Sequence, residues 1–116
     1  MNRLMSTATV IIMLIATQAI SRTMSKQFVI TDLGALPGGI SSAEALNNRG
    51  QIVGSNSSVA SGEVHAILWE DGQIIDLGTL PGGTRSSAQA INDRGQIVGG
   101  SITASGGFNA VLWTKR

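Results

Sequence analysis

The chain contains no cysteine and no tyrosine, only two prolines and a single histidine, and few charged residues for its 116-residue length. Without cysteine there is no disulfide framework, no thiolate metal site and no cysteine nucleophile, and thiols say nothing about redox compartment. Charged residues make up 13% of the chain, about half of the roughly 25% usual in soluble proteins. With a formal net charge of +1, this excludes a polyanion-binding surface, an acidic tail and a solvated coiled coil, so nucleic acid is not an expected partner. The length bounds the chain to one small domain at most.

What is present changes abruptly near residue 30. All four methionines (Met1, Met5, Met13 and Met24) precede it, whereas all 15 glycines lie from Gly34 onward. After Arg3 no charge occurs until Arg22, and the stretch 4–20 centres on the apolar run Val10 to Ala16. A positive start followed by an apolar run of about 7 to 15 residues is the pattern of a signal peptide. Ala19-Ile20-Ser21 offers small residues where a signal peptidase would cut, and Thr17-Gln18-Ala19 is a weaker site. The expected organisation is a hydrophobic helical signal peptide over 1–21, a linker over 22–27 and a β body over 28–116. Two alternatives stay open: an uncleaved anchor through residues 4–20, which is the only expected membrane contact, and a true start at Met24. Spanning helices need about 20 apolar residues, so an anchor fits marginally. Cleavage after residue 21 leaves seven basic and seven acidic side chains.

Internal repetition is the strongest signal. The stretch from Asp32 to Gly54, DLGALPGGISSAEALNNRGQIVG, returns from Asp76 to Gly99 with one insertion near Arg85, and 18 of its 23 residues are identical. Farther along, His65 to Trp69 (HAILW) corresponds to Asn109 to Trp113 (NAVLW) at a spacing of 44. Repeat 1 runs over about 32–75 and repeat 2 over about 76–116. Each copy reads as short strands. Ala43 to Asn47 and Gln51 to Gly54 form a hairpin around Asn47-Asn48-Arg49-Gly50, because asparagine bonds its own backbone and glycine accepts positive φ. Ser55 to Glu63, like Gly100 to Gly107, is rich in serine and glycine and reads as a loop. Val64 to Trp69 follows, then the Asp71-Gly72 hairpin signal and the strand Gln73 to Leu77.

Val64 to Trp69 is apolar on both faces: Val64, Ala66 and Leu68 alternate with His65, Ile67 and Trp69. Such a strand wants packing above and below, and Phe108 to Trp113 repeats the pattern. Four short strands in about 44 residues, with a tryptophan near one strand end, match the arithmetic of a propeller blade. Glycine density and the lack of a sustained 3.6-residue apolar period exclude a helical solenoid. The expected fold is all-β: two tandem four-stranded antiparallel units, with Phe28 to Leu33, which resembles Gln73 to Leu77, completing the second set.

These residues resemble the HAF-repeat family of probable extracellular proteins, named for a His-Ala-Phe triplet. The match covers Asp32 to Trp113 through DLGxLPGG, SxAxAxNxxGQIVG and the strand ending in Leu-Trp. The resemblance implies an exported protein, longer arrays that close as propellers, and no catalytic activity to carry over. His65-Ala66-Ile67 keeps two letters of the triplet, whereas Asn109-Ala110-Val111 keeps only the alanine, which argues against a function needing that histidine in every repeat.

The repeat positions expected to carry structure are Asp32, Gly34, Pro37, Gly38, Gly39, Asn47, Gly50 and Trp69, with Asp76, Gly78, Pro81, Gly82, Gly83, Asn92, Gly95 and Trp113 in the second copy. The glycines after Asp32 and Asp76 could suggest a phosphate loop, but a Walker loop needs Gly-Lys-Ser/Thr opening a helix, and Pro37-Gly38-Gly39 and Pro81-Gly82-Gly83 read as turns. His65 could serve as general base or metal ligand. With no second histidine and Asn109 in its place, it is expected to be a hydrogen-bonded structural residue. Asp32 and Asp76 could contribute to a calcium site, which would need six to eight converging oxygens; turn or strand-end hydrogen bonding is the simpler role. Trp69 and Trp113 read as core rather than a ligand-binding rim. No catalytic, cofactor or metal residues are expected, and no enzyme. Propellers close with about 4 to 8 blades and arrays need about three units. Two copies therefore expect cover from self-association or another repeat protein. The functional expectation is an exported, non-catalytic binding or assembly module of the cell surface or extracellular space. The alternative is a remnant of a longer repeat protein.

Overall fold

The structure is a computed structural model that describes residues 27–116. The signal peptide or anchor expected over 1–21, and all of the linker except Gln27, lie outside the described residues. The chain divides after Asp32; residues 27–32 of the first unit form neither helix nor strand. The second unit, Leu33–Arg116, is all-β, with no helix among the described residues. It follows that no described helix is long and apolar enough to cross a membrane.

Seven strands follow in order: β1 (Gly39–Leu46), β2 (Ile52–Ser58), β3 (Val64–Glu70), β4 (Gln73–Gly78), β5 (Ser86–Ile91), β6 (Ile97–Ile102) and β7 (Phe108–Trp113). They make two antiparallel sheets, β1-β2-β3-β4 and β5-β6-β7, which do not close into a barrel or ring. The first sheet thus takes β1 to β3 from repeat 1 while β4 crosses into repeat 2, and the second sheet lies wholly within repeat 2. The expectation of four strands in both units is corrected here: the second sheet has three, and Phe28 to Leu33 forms no strand. The physical difference lies in the connection. Asp71 and Gly72, both at positive φ (51° and 74°), turn β3 directly into β4, as a two-residue hairpin loop requires. No such turn links Phe28 to Leu33 with β7, so pairing there would demand a long loop closure.

The hairpins form around the asparagines. Asn47 Oδ1 accepts hydrogen bonds from the Arg49 and Gln51 backbone N–H groups, both at 3.0 Å. Asn92 repeats this with Arg94 and Gln96. The side chain thereby satisfies two donors that the turn would leave open. A register shift between Ala43 and Ala45 in β1, matched between Ala88 and Ala90 in β5, marks a bulge that throws Glu44 and Gln89 out of the ladder. Opposite each bulge the backbones crowd: a Cβ on Gly54 or Gly99 would overlap the carbonyl oxygen of Ser42 or Ser87. Only glycine fits there.

The loop expected over Ser55 to Glu63 is shorter than its composition suggests, because β2 continues to Ser58 and β6 continues to Ile102. Serine and glycine are poor strand formers, but here the backbone is paired on both sides, with Gly39 to Ser42 and with Val64 to Ala66. Ladder hydrogen bonds outweigh local propensity.

One face of the first sheet packs on one face of the second. Val53, Ala66 and Leu68 from the first meet Ala88 and Ile97 from the second, flanked by Ala45, Leu77, Ile91 and Trp113. Complete burial of a Val, Leu or Ile side chain contributes about 1.5–3 kcal/mol, so this seam supplies most of the apolar cohesion between the sheets. The opposite face of β3 is also buried, through Ile67 and Trp69.

Candidate functional site

The repeat builds its seam from two different faces. On the first sheet the seam face carries Ala45, Val53, Ala66 and Leu68; on the second it carries Ala88, Ile91, Ile97 and Trp113. These are not equivalent positions. In repeat numbering Val53 corresponds to Val98 and Leu68 to Leu112, whereas Ala88 corresponds to Ala43 and Ile91 to Leu46. The first repeat therefore receives the second on one surface, and the second is received through the opposite surface of its own sheet.

Polar bonds fix the register of this seam. Asn47 Nδ2 donates to Gln51 Oε1 at 2.6 Å and to the Asn92 carbonyl at 2.8 Å. The backbone N–H of Asn48 donates to Asp93 Oδ1, and Asn48 Nδ2 to Asp93 Oδ2, both at 2.9 Å. These bonds, with the Arg49 charge nearby, hold the Asp93 carboxyl below the usual carboxylate range. Farther along, Ser86 Oγ accepts from the Ala66 N–H and donates to the Gly78 carbonyl, each at 2.8 Å. A parallel bridge between Val64 and Arg85 extends the contact. Among the described residues every buried side-chain nitrogen and oxygen has a partner, as a cohesive polar seam requires.

At one end the seam opens into a cleft of about 340 Å³. Its apolar floor is Leu68, Leu77, Ile97 and Trp113, and its rim carries Arg49, Arg94 and Lys115 against Glu70 and Asp76. Glu70 is engaged by Gln51 Nε2 at 2.9 Å. Among the described residues no group of three or more His, Asp or Glu side chains is placed to hold a metal ion.

The singled-out residues fall into three places. His65 lies beside Asp76, with Nδ1 at 2.9 Å from one carboxylate oxygen and 3.1 Å from the other, and Nε2 at 3.7 Å from Glu63. Asp76 Oδ1 also accepts from the Gly78 N–H at 2.8 Å. This pair sits on the sheet surface, with both side chains partly exposed. Pro37-Gly38-Gly39 and Pro81-Gly82-Gly83 form the turns that enter each sheet, closed by hydrogen bonds from Gly39 to Leu36 and from Gly83 to Leu80. Gly34, Gly38, Gly50, Gly78, Gly82 and Gly95 all have positive φ. Asp32 precedes the second unit and belongs to neither sheet.

The two tryptophans differ. Trp69 is buried and its Nε1 donates to the Gly34 carbonyl at 3.2 Å, whereas Trp113 is half-buried at the cleft. The expectation that Phe108 to Trp113 is covered on both sides is corrected: Phe108, Ala110 and Leu112 are exposed. The seam uses the other face of the second sheet, so among the described residues no second sheet covers this one. Residue types alone did not single out Asn48, Asp93, Ser86 or Ser41; the signal that could have found them is the repeat, since small polar side chains recur beside the apolar seam positions.

Fold and site define an all-β, two-sheet repeat body whose organised feature is a sheet-to-sheet seam. Comparison with family models, with curated proteins and with solved structures finds no match to this chain.

Proposed function

We propose that the chain is an exported, non-catalytic repeat module that works by binding or assembly through its sheet surfaces. The single observation that carries this reading is the exposed apolar face of the second sheet, formed by Val98, Phe108 and Leu112. A contiguous apolar face rimmed by polar residues is the usual mark of a protein contact. The near-neutral charge, and the replacement of His65 by Asn109 in the second repeat, add support. The resemblance of Asp32 to Trp113 to HAF repeats supports an extracellular or cell-surface location, and a reading of the two sheets as consecutive blades of a propeller-like array. Export rests on the apolar run over 4–20 and is tested by fractionation with mass spectrometry of the amino terminus. A mature protein beginning near Arg22 outside the cell is expected. Retention in the cytoplasm with residues 1–21 intact, or initiation at Met24, contradicts it.

A second reading, a remnant of a longer repeat protein, draws on the edge of β7, which has no strand partner among the described residues. Another DLG-LPGG copy in any frame downstream of the codon for Arg116 would favour it.

A further inference from the structure

We propose that a second copy of this chain covers the exposed face of the second sheet, head to tail, and lays its residues 28–33 beside β7 as the missing fourth strand. This rests on the reading of the body as a binding module and names the partner.

The internal seam is the precedent. Val53 is fully buried and Leu68 is 8% exposed, whereas their counterparts Val98 and Leu112 are 47% and 56% exposed. On the receiving side Ala88 is fully buried, whereas its counterpart Ala43 is exposed; Leu46, the counterpart of half-buried Ile91, is 72% exposed. One chain thus displays Val98 and Leu112 from one half of a contact that it already makes once inside itself, and Ala43 and Leu46 from the other half, where Ile67 and Trp69 are already covered. The polar groups match as well. Ser41 Oγ donates to the Gly34 carbonyl at 2.9 Å, as Ser86 Oγ does to Gly78 before accepting the Ala66 N–H. Ser41 is therefore set to accept the Ala110 N–H of another copy. Such faces are complementary rather than self-complementary, which makes the contact heterologous: it closes into a ring or grows as a filament.

The strand is an independent observation. Phe28, Val29 and Ile30 are exposed, and FVITDLG over 28–34 aligns with GQIIDLG over 72–78, which contains β4. In the first sheet β4 lies beside β3 with Leu68 opposite Ile75 and Trp69 opposite Ile74. By the same register Leu112 lies opposite Thr31, and Trp113 opposite Ile30, of the incoming copy. Within one chain, β4 leads straight into the turn that opens the next sheet. In the same way residues 28–33 lead into the turn that opens the first sheet, so a copy seated by its Ala43 and Leu46 face brings this segment to β7 of its neighbour. Edge addition of this kind satisfies the free backbone groups of β7.

The absence of native cysteine makes the test direct. Full-length Leu112→Cys and Thr31→Cys chains are mixed and oxidised, because opposed antiparallel residues lie within disulfide reach. A heterodimer in non-reducing electrophoresis is expected from the mixture only, at several times the level given by Thr31→Cys with a control Ser61→Cys chain. A dimer from Leu112→Cys alone would show a two-fold contact and overturn the proposal. So would a mixture no more cross-linked than the control. Either failure leaves the export test of the broader reading standing, because that test reads compartment and not association.

Discussion

Asn47 Nδ2 donates to the carbonyl oxygen of Asn92, its own counterpart in the next repeat, at 2.8 Å. Asn92 makes the equivalent intra-turn bond to Gln96 Oε1 at 2.7 Å, but among the described residues no third asparagine carbonyl lies beyond it. The same side chain is buried in the first repeat and exposed in the second. Nearly identical sequences therefore experience opposite environments, and this difference sets the expected behaviour of matched substitutions.

Leu68→Ala removes packing from the seam and is expected to lower stability by about 2–5 kcal/mol, as large-to-small core changes do. Leu112→Ala, at the matching position, is expected to change the stability of the dilute protein by no more than about 0.5 kcal/mol. Urea unfolding of the two variants side by side measures the contrast; equal losses would refute the assigned seam.

Gly54→Ala places a methyl against the Ser42 carbonyl across the β1 bulge, where backbone must move. A cost of about 1–3 kcal/mol is expected from overpacking. Gly99→Ala, facing Ser87 in the same geometry, is expected to behave alike, with both read as a fall in thermal midpoint.

Ser86→Ala leaves the buried Ala66 N–H without its acceptor, for an expected loss of about 1–3 kcal/mol. Slowed exchange of the Ala66 amide in the parent, lost in the variant, locates the effect by hydrogen exchange.

Acid should loosen the seam at its turn end. The folded-state pKa of Asp93 is lowered, chiefly by the Asn48 side-chain and backbone hydrogen bonds. The stabilisation is thus present above the ordinary carboxylate value and is lost as pH falls through the lowered one, below about pH 4. Asp93→Asn should flatten the stability profile in that window and leave it unchanged near neutrality apart from a constant offset. Stability measured from pH 7 to pH 2 checks the sign.

Much of this architecture is legible in the residues. The 44-residue period places the two sheets, Asn47 to Gly50 and Asp71-Gly72 place their turns, and the two-faced strand Val64 to Trp69 demands packing on both sides, which it receives. Less legible are features set by pairing across the fold. β2 runs through Ser55 to Ser58 because two neighbours hold it, and Gly54 is fixed by a bulge in β1 that no local pattern announces. The identity of repeats also conceals their difference. Val53 and Val98 read alike, and only the order in which sheets stack decides which is covered. The role of Asp93 is hidden for the same reason, since Asn48 stands at that position in the first copy.

Light scattering on charge variants of the two displayed faces tests most directly whether the seam continues between chains. The full-length protein is expected to associate at high micromolar concentration, and Leu46→Glu and Leu112→Glu are each expected to be monomeric. Mixing the two variants should restore a dimer, because each retains the face that the other has lost. A parent that stays monomeric, or a Leu46→Glu variant that associates as the parent does, would contradict the account.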